Sequence, residues 1–187
     1  MSKVAITGNA SGTGVFTVAS PNSNVDRVLT LPDETGTVLT TATAGVPVNG
    51  PAFSAYADTD RSLTSGVVTK VIFGSELFDT NDNFASDRFT PTVAGYYQLN
   101  TIIRSSGSSV TNITHYFYKN GVTYSCFAQL GLEFSASQSV SGSELIYCNG
   151  TTDYVEVYMS VVATSPIMNW SSDSITSTFS GFLARSA

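Results

Sequence analysis

Phe73-Gly74-Ser75-Glu76-Leu77-Phe78-Asp79-Thr80-Asn81-Asp82-Asn83-Phe84-Ala85-Ser86-Asp87-Arg88-Phe89-Thr90-Pro91-Thr92-Val93-Ala94-Gly95-Tyr96-Tyr97-Gln98-Leu99 is the stretch on which the fold of this chain turns. Aromatic residues recur at Phe73, Phe84 and Phe89, an acidic residue, Asp79, stands between the first two, and Gly95 precedes an alternating run. In that run Tyr97, Leu99, Thr101 and Ile103 fall on one face of a strand, because side chains alternate across a strand with period 2. Ile113, His115 and Phe117 share one face of the next strand, opposite Tyr116 and Tyr118. Asn120-Gly121 supplies the two left-handed residues that a tight hairpin needs. Further strands are expected at Val140 to Tyr147, Tyr154 to Val162 and Ile175 to Leu183, with Val155, Val157, Met159 and Val161 forming one layer of core. Some eight to ten strands separated by turns, with no helical stretch, read as an all-β chain.

Two segments carry a family resemblance. Phe73, Asp79 and Phe84 follow the order aromatic, five residues, acid or amide, four residues, aromatic, and Phe89, Gly95, Tyr97 and Leu99 continue it. With Phe179-Ser180-Gly181-Phe182-Leu183 near the other end, this resembles the opening and closing signatures of the globular head of complement component q, a jelly-roll family that also contains tumour necrosis factor. Tyr118-Lys119-Asn120-Gly121 is similar to the family's turn at this place. The chain departs from the pattern in a Phe84 to Phe89 gap two residues shorter, and in Leu99 and Thr101 standing where the family has aromatics. The resemblance implies a double-sheet jelly-roll head over residues 51–187 that assembles as a homotrimer. It also implies a buried Phe182, while Gly95, which follows a turn, is expected to need backbone angles closed to other residues.

Bulk properties fit that outline. A chain of 187 residues is long enough to bury roughly 70% of its unfolded surface in one core. Only 12% of residues are charged, and eight basic against fourteen acidic residues leave a net charge of −6, which disfavours a nucleic-acid partner. No apolar run has the length of a membrane helix. Met1 to Gly12 has neither the basic nor the apolar region of an export signal, so the expected place of synthesis is a cytosol. There the two cysteines, Cys126 and Cys148, are expected as small buried thiols.

Residues 1–50 differ in composition from the rest, rich in Gly and Thr and punctuated at Pro21, Pro32 and Pro47. Short β-like runs at Val15 to Val18 and Val28 to Leu31 cannot close a core alone and read as a β-rich arm, with Thr41 to Pro51 as linker. Leu29-Thr30-Leu31-Pro32-Asp33-Glu34-Thr35-Gly36-Thr37-Val38-Leu39-Thr40 resembles a phrase of bacteriophage tail-fibre and other virion proteins, which marks Leu29, Leu31, Pro32, Gly36, Val38 and Leu39 as candidate attachment residues.

Several patterns imitate chemistry. Val4 to Gly14 imitates a dinucleotide-binding turn, but the β-branched run that follows ends at Pro21 and offers no helix N-terminus to a phosphate. His115 is the sole histidine, so any catalytic triad must use it; on an apolar strand face it reads as a core or interface residue. Asp79, Asp82 and Asp87 read as turn carboxylates, with a calcium loop as the alternative. Trp170, in an expected loop, is either a core-edge anchor or a sugar platform. No residue set calls for a catalytic role, a metal or a cofactor.

The joint expectation is a non-enzymatic bacteriophage virion protein. Its first form is a homotrimeric capsid decoration, or cement, protein whose arm binds the major capsid protein or another virion protein. The alternative is a receptor-binding knob of a short tail or head fibre that recognises a host surface glycan.

Overall fold

The computed structural model describes residues 11–15, 17, 22–26, 28, 50–131, 137–169 and 175–187. The chain divides into two units, Met1–Val38 and Leu39–Ala187. The arm runs expected at Val15 to Val18 and Val28 to Leu31, the linker, and the candidate residues Leu29, Leu31, Pro32, Gly36, Val38 and Leu39 lie wholly or partly outside the described residues, and Trp170 lies outside them.

The second unit is all-β: among the described residues, eleven strands and no helix. They are β1 (Ala52–Tyr56), β2 (Arg61–Ser62), β3 (Thr69–Lys70), β4 (Ser75–Asp79), β5 (Phe84–Ala85), β6 (Arg88–Phe89), β7 (Gly95–Lys119), β8 (Val122–Leu130), β9 (Gln138–Cys148), β10 (Val155–Met168) and β11 (Thr178–Ser186). The strand β7 organises the rest. Its first part, from Gly95 to Ser105, lies between β9 and β11, and the sheet continues through β1 to β4. Its second part, to Lys119, lies between β8 and β10, and β10 carries β2, β3 and the β5–β6 hairpin.

The expected strands at 97–103 and 113–118 are thus one strand. A Ser-Gly-rich segment, which reads as a loop, instead bends the strand while keeping its neighbours. Ser109 adopts φ 50° and Ser165 of β10 adopts φ 51°, and the β7–β10 register shifts around Thr164. Gly107 lets the two strands close up, since a Cβ there would stand 2.8 Å from the Ala163 Cβ.

The alternation read from sequence holds on both sides of the bend. Tyr97, Leu99, Thr101 and Ile103 are buried, as are Ile113, His115 and Phe117, and as are Val155, Val157, Met159 and Val161. Asn120 and Gly121, at φ 54° and 78°, close the β7–β8 hairpin. The two sheets meet face to face through aromatic rings. Phe53 of β1 stacks on Phe89 of β6 with centroids 4.3 Å apart and meets Phe179 of β11 edge-on at 4.9 Å, while Phe117 lies 6.1 Å from Phe179. Phe84 stacks on the same Phe53 ring at 5.1 Å.

This contact needs the glycine at 181. A Cβ on Gly181 would stand 3.0 Å from the Phe53 ring and 3.1 Å from the Gln98 carbonyl oxygen, and would overlap the Leu99 side chain. Backbone carbonyls do not yield as a flexible side chain does, so Gly181→Ala is expected to cost about 1–3 kcal/mol through overpacking. A drop of several degrees in melting temperature, measured by calorimetry, checks this; an unchanged midpoint contradicts the packing role.

Candidate functional site

The signature residues converge on one place. Phe73, Phe84, Phe89, Tyr97, Leu99 and Phe179 belong to a single core, joined by Phe53, which the sequence pattern did not single out. Asp79 is part of the scaffold of that core: its Oδ2 accepts the Phe84 N–H at 2.7 Å and its Oδ1 the Asn81 N–H at 3.3 Å. Asp87 Oδ1 accepts the Phe73 N–H at 2.7 Å. These two carboxylates pin turns, and among the described residues no three acidic, histidine or cysteine groups are arranged to hold a metal ion.

Three expectations for individual residues are corrected. Phe182 is 49% exposed, because alternation along β11 turns Phe179 and Gly181 inward and sends Phe182 to the opposite face, while Leu183 packs partly against the core. Gly95 has no left-handed φ; its constraint is steric, since a Cβ would overlap the Arg185 carbonyl oxygen and stand 2.6 Å from the Leu183 side chain. Cys126 is exposed rather than buried, on the face of β8 that pairs with Tyr116. Cys148 is buried, which pushes its thiol up to about 11, and no disulfide joins the two.

The charged groups with defined partners hold strands. Glu156 on β10 is 3% exposed. Its Oε1 accepts Lys70 Nζ at 2.9 Å, and Arg88 Nε and Nη2 at 3.0 Å each. Burial alone pushes its carboxyl up, but the bonds and charges of Lys70 and Arg88 outweigh that and hold it below the usual glutamate range. Lys70 and Arg88 sit on the two-residue strands β3 and β6, so the carboxylate ties both to β10. Arg88 also lies over the Tyr154 ring at 3.8 Å, and Tyr118 stacks on Tyr158 at 4.0 Å. Asp153, which accepts bonds from Lys119 Nζ at 2.8 Å and Asn120 Nδ2 at 2.7 Å, does the same for the end of the β7–β8 hairpin.

The outer surface of the other sheet is different in kind. Register places Tyr96 beside Tyr147, Gln98 between Phe182 and Leu145, and Ile102 between Thr178 and Ser141. Tyr96, Ile102, Leu145, Tyr147 and Phe182 are all 36–49% exposed. The Tyr96 and Tyr147 rings are 5.4 Å apart. From the Gln98–Leu145 pair to the Ile102–Ser141 pair, none of the outward residues of β11, β7 and β9 is charged; Arg185, the β11 partner of Tyr96, and Arg104 mark the two ends. A shallow cavity of about 520 Å³ opens beside Asn100, Ile102, Phe127, Ser143 and Thr178. Period 2 along β7 was the signal for this face, since the positions between the buried residues hold Tyr96, Gln98, Asn100 and Ile102.

The geometry is similar to that of solved structures. Murine APRIL at pH 8.5 matches with a TM-score of 0.50 and 14% identity, over 72% of this chain and 98% of that one. Murine APRIL at pH 8.0 matches with a TM-score of 0.51 and 15% identity, over the same shares. Eiger TNF from S. frugiperda matches with a TM-score of 0.48 and 11% identity, over 74% of this chain and 96% of that one. The second unit has a tumour-necrosis-factor-like jelly-roll fold. No family model matches the sequence, and no curated protein matches it.

His115 lies fully buried in this jelly roll, 5.7 Å from the Phe127 ring, with neither ring nitrogen hydrogen-bonded among the described residues. Burial lowers its pKa from 6.5 to about 4. The unfolded chain therefore binds a proton between those values that the folded chain refuses, so stability falls as pH drops from 6.5 towards 4 and levels off below. The contribution is roughly 3 kcal/mol across the window. His115→Leu is expected to flatten the pH dependence of urea unfolding between pH 6.5 and 4 relative to the native chain; parallel curves for the two proteins contradict the assignment.

Proposed function

We propose that this chain is a non-enzymatic structural protein of a bacteriophage particle that works as a homotrimer, with residues 1–50 as the attachment arm and the jelly roll as the head. The observation that carries self-association is the outer face of β11, β7 and β9, which holds no charge between Arg104 and Arg185 and exposes Tyr96, Ile102, Leu145, Tyr147 and Phe182 together. Apolar groups clustered on one surface are the usual mark of a protein interface. Copies that each carry −6 repel one another generally, and a face without charge is where they can meet. A non-enzymatic role is supported by the sole histidine, whose ring lies inside the core, away from any substrate.

The virion role draws on the resemblance of Leu29 to Thr40 to bacteriophage proteins. Within it, the first reading is a capsid decoration protein, with a receptor-binding knob as the alternative. The arm's short Thr- and Val-rich runs are suited to adding strands to a virion protein surface.

Two experiments test this reading. Phe182→Glu places a charge on the uncharged face at an exposed position, so it is expected to leave the fold intact and convert trimers to monomers at micromolar concentration. Sedimentation velocity with circular dichroism reads both; a folded variant that sediments like the native trimer contradicts the interface. Deletion of residues 1–50 is expected to leave a folded trimer that no longer binds particles lacking the native protein, and those particles are expected to lose heat resistance while still adsorbing to cells. Stable particles with lost adsorption would instead identify a receptor-binding knob.

A further inference from the structure

We propose that a polar stripe across the middle of the self-association face, ending at the Asn100 carboxamide, fixes the register and number of the copies that meet there. The inference rests on the reading that this face self-associates. Cross-strand pairing sets Ser54 of β1 beside Ser180 of β11, Ser180 beside Asn100 of β7, and Asn100 beside Ser143 of β9. The rows on either side are more apolar: Phe182 and Leu145 flank Gln98, and Tyr56 and Ile102 flank Thr178. Across β1, β11, β7 and β9 the face therefore passes from a partly apolar row through a polar one to another partly apolar row, and on β4 the polar row ends at the exposed Phe78.

The side-chain hydrogen bonds that reach Ser143 and Asn100 run one way, from Gln98 in the neighbouring row into the stripe. Gln98 Nε2 donates to Ser143 Oγ at 2.6 Å, and Ser143 Oγ donates to Asn100 Oδ1 at 3.0 Å. The sequence of donors ends on the Asn100 carbonyl oxygen, and the Asn100 Nδ2 hydrogens have no acceptor among the described residues. Beside them opens the cavity of about 520 Å³, which is large enough to admit side chains from another molecule.

The occupant is a second copy of this chain. A neighbour settled over the apolar rows would bury the Asn100 amide, and a buried donor without an acceptor opposes association. Only registers that offer Asn100 an acceptor escape that cost, and a slide by one row sets Ile102 or Phe182 against the stripe instead. A single polar residue in an apolar interface is known to select register and copy number in this way, at some expense in affinity.

The test uses the full-length chain, with native mass spectrometry for copy number, sedimentation for affinity and circular dichroism for fold. The native protein is expected to show one copy number, three. Asn100→Leu removes the unpaired donors and is expected to associate at least as tightly but as a mixture of copy numbers. Asn100→Asp, folded at neutral pH, is expected to weaken association by about tenfold or more, since it brings like charges into the stripe. If Asn100→Leu keeps a single copy number, or folded Asn100→Asp associates as the native chain does, the stripe has no such role, even though the chain self-associates. A native chain that stays monomeric at micromolar concentration would instead remove the self-association reading on which the inference stands.

Discussion

A strand that belongs to two sheets has to change direction without giving up its hydrogen-bonded neighbours, and β7 meets that demand between Ser105 and Ser109. Small side chains and one left-handed serine, φ 50° at Ser109, let the ladder shift register against β10 and resume. Had the chain broken there, β8 and β10 would have lost the partner that places them opposite β1 and β11. The ring contacts between Phe53, Phe89 and Phe179 follow from that opposition. Gly107 and Gly181 serve the same geometry at two places, one letting β10 close on β7 and the other leaving room for Phe53.

Much of this was legible because period 2 is a strong signal when both faces of a strand differ. Tyr97 to Ile103, Ile113 to Phe117 and Val155 to Val161 each present a buried set of alternate residues, and Asn120-Gly121 adopts the two positive φ angles that its composition demands. The continuity of β7 was hidden because Ser-Ser-Gly-Ser-Ser has the composition of a loop, and only the partners on each side hold it extended. Phe182 lies outside the core because it stands three residues after Phe179 and so has the opposite parity, although an aromatic in a family-like phrase suggests a core residue. Glu156 gave no local sign, since its two cations come from 86 and 68 residues away in sequence.

The two sheets divide the polar work between them. On the β8-β7-β10 side, a scarce stock of charge is concentrated: Lys70 and Arg88 share Glu156, and Lys119 holds Asp153. Exposed ion pairs contribute little, but a carboxylate that is 3% exposed and bonded to two cations is costly to leave alone. Its value here is positional, because β3 and β6 have two residues each and too few ladder bonds to stay docked on β10 unaided. The carboxylate keeps its charge at neutral pH and gives up this contribution only as pH falls through its lowered pKa.

On the opposite sheet the same economy has another result. With only 12% of its residues charged, the chain lacks the means to cover both sheets with ions, and the face bearing Tyr96, Ile102, Leu145, Tyr147 and Phe182 has none between Arg104 and Arg185. Such a face in water loses apolar contact and, unlike an edge strand, cannot be shielded by a turn or a bulge. Covering it with further copies removes that surface from water at a place where no local charge adds to the repulsion between chains of net charge −6. Apolar area alone is indifferent to how two faces slide over one another, so the polar groups left among the apolar rows are what distinguish one arrangement from the next.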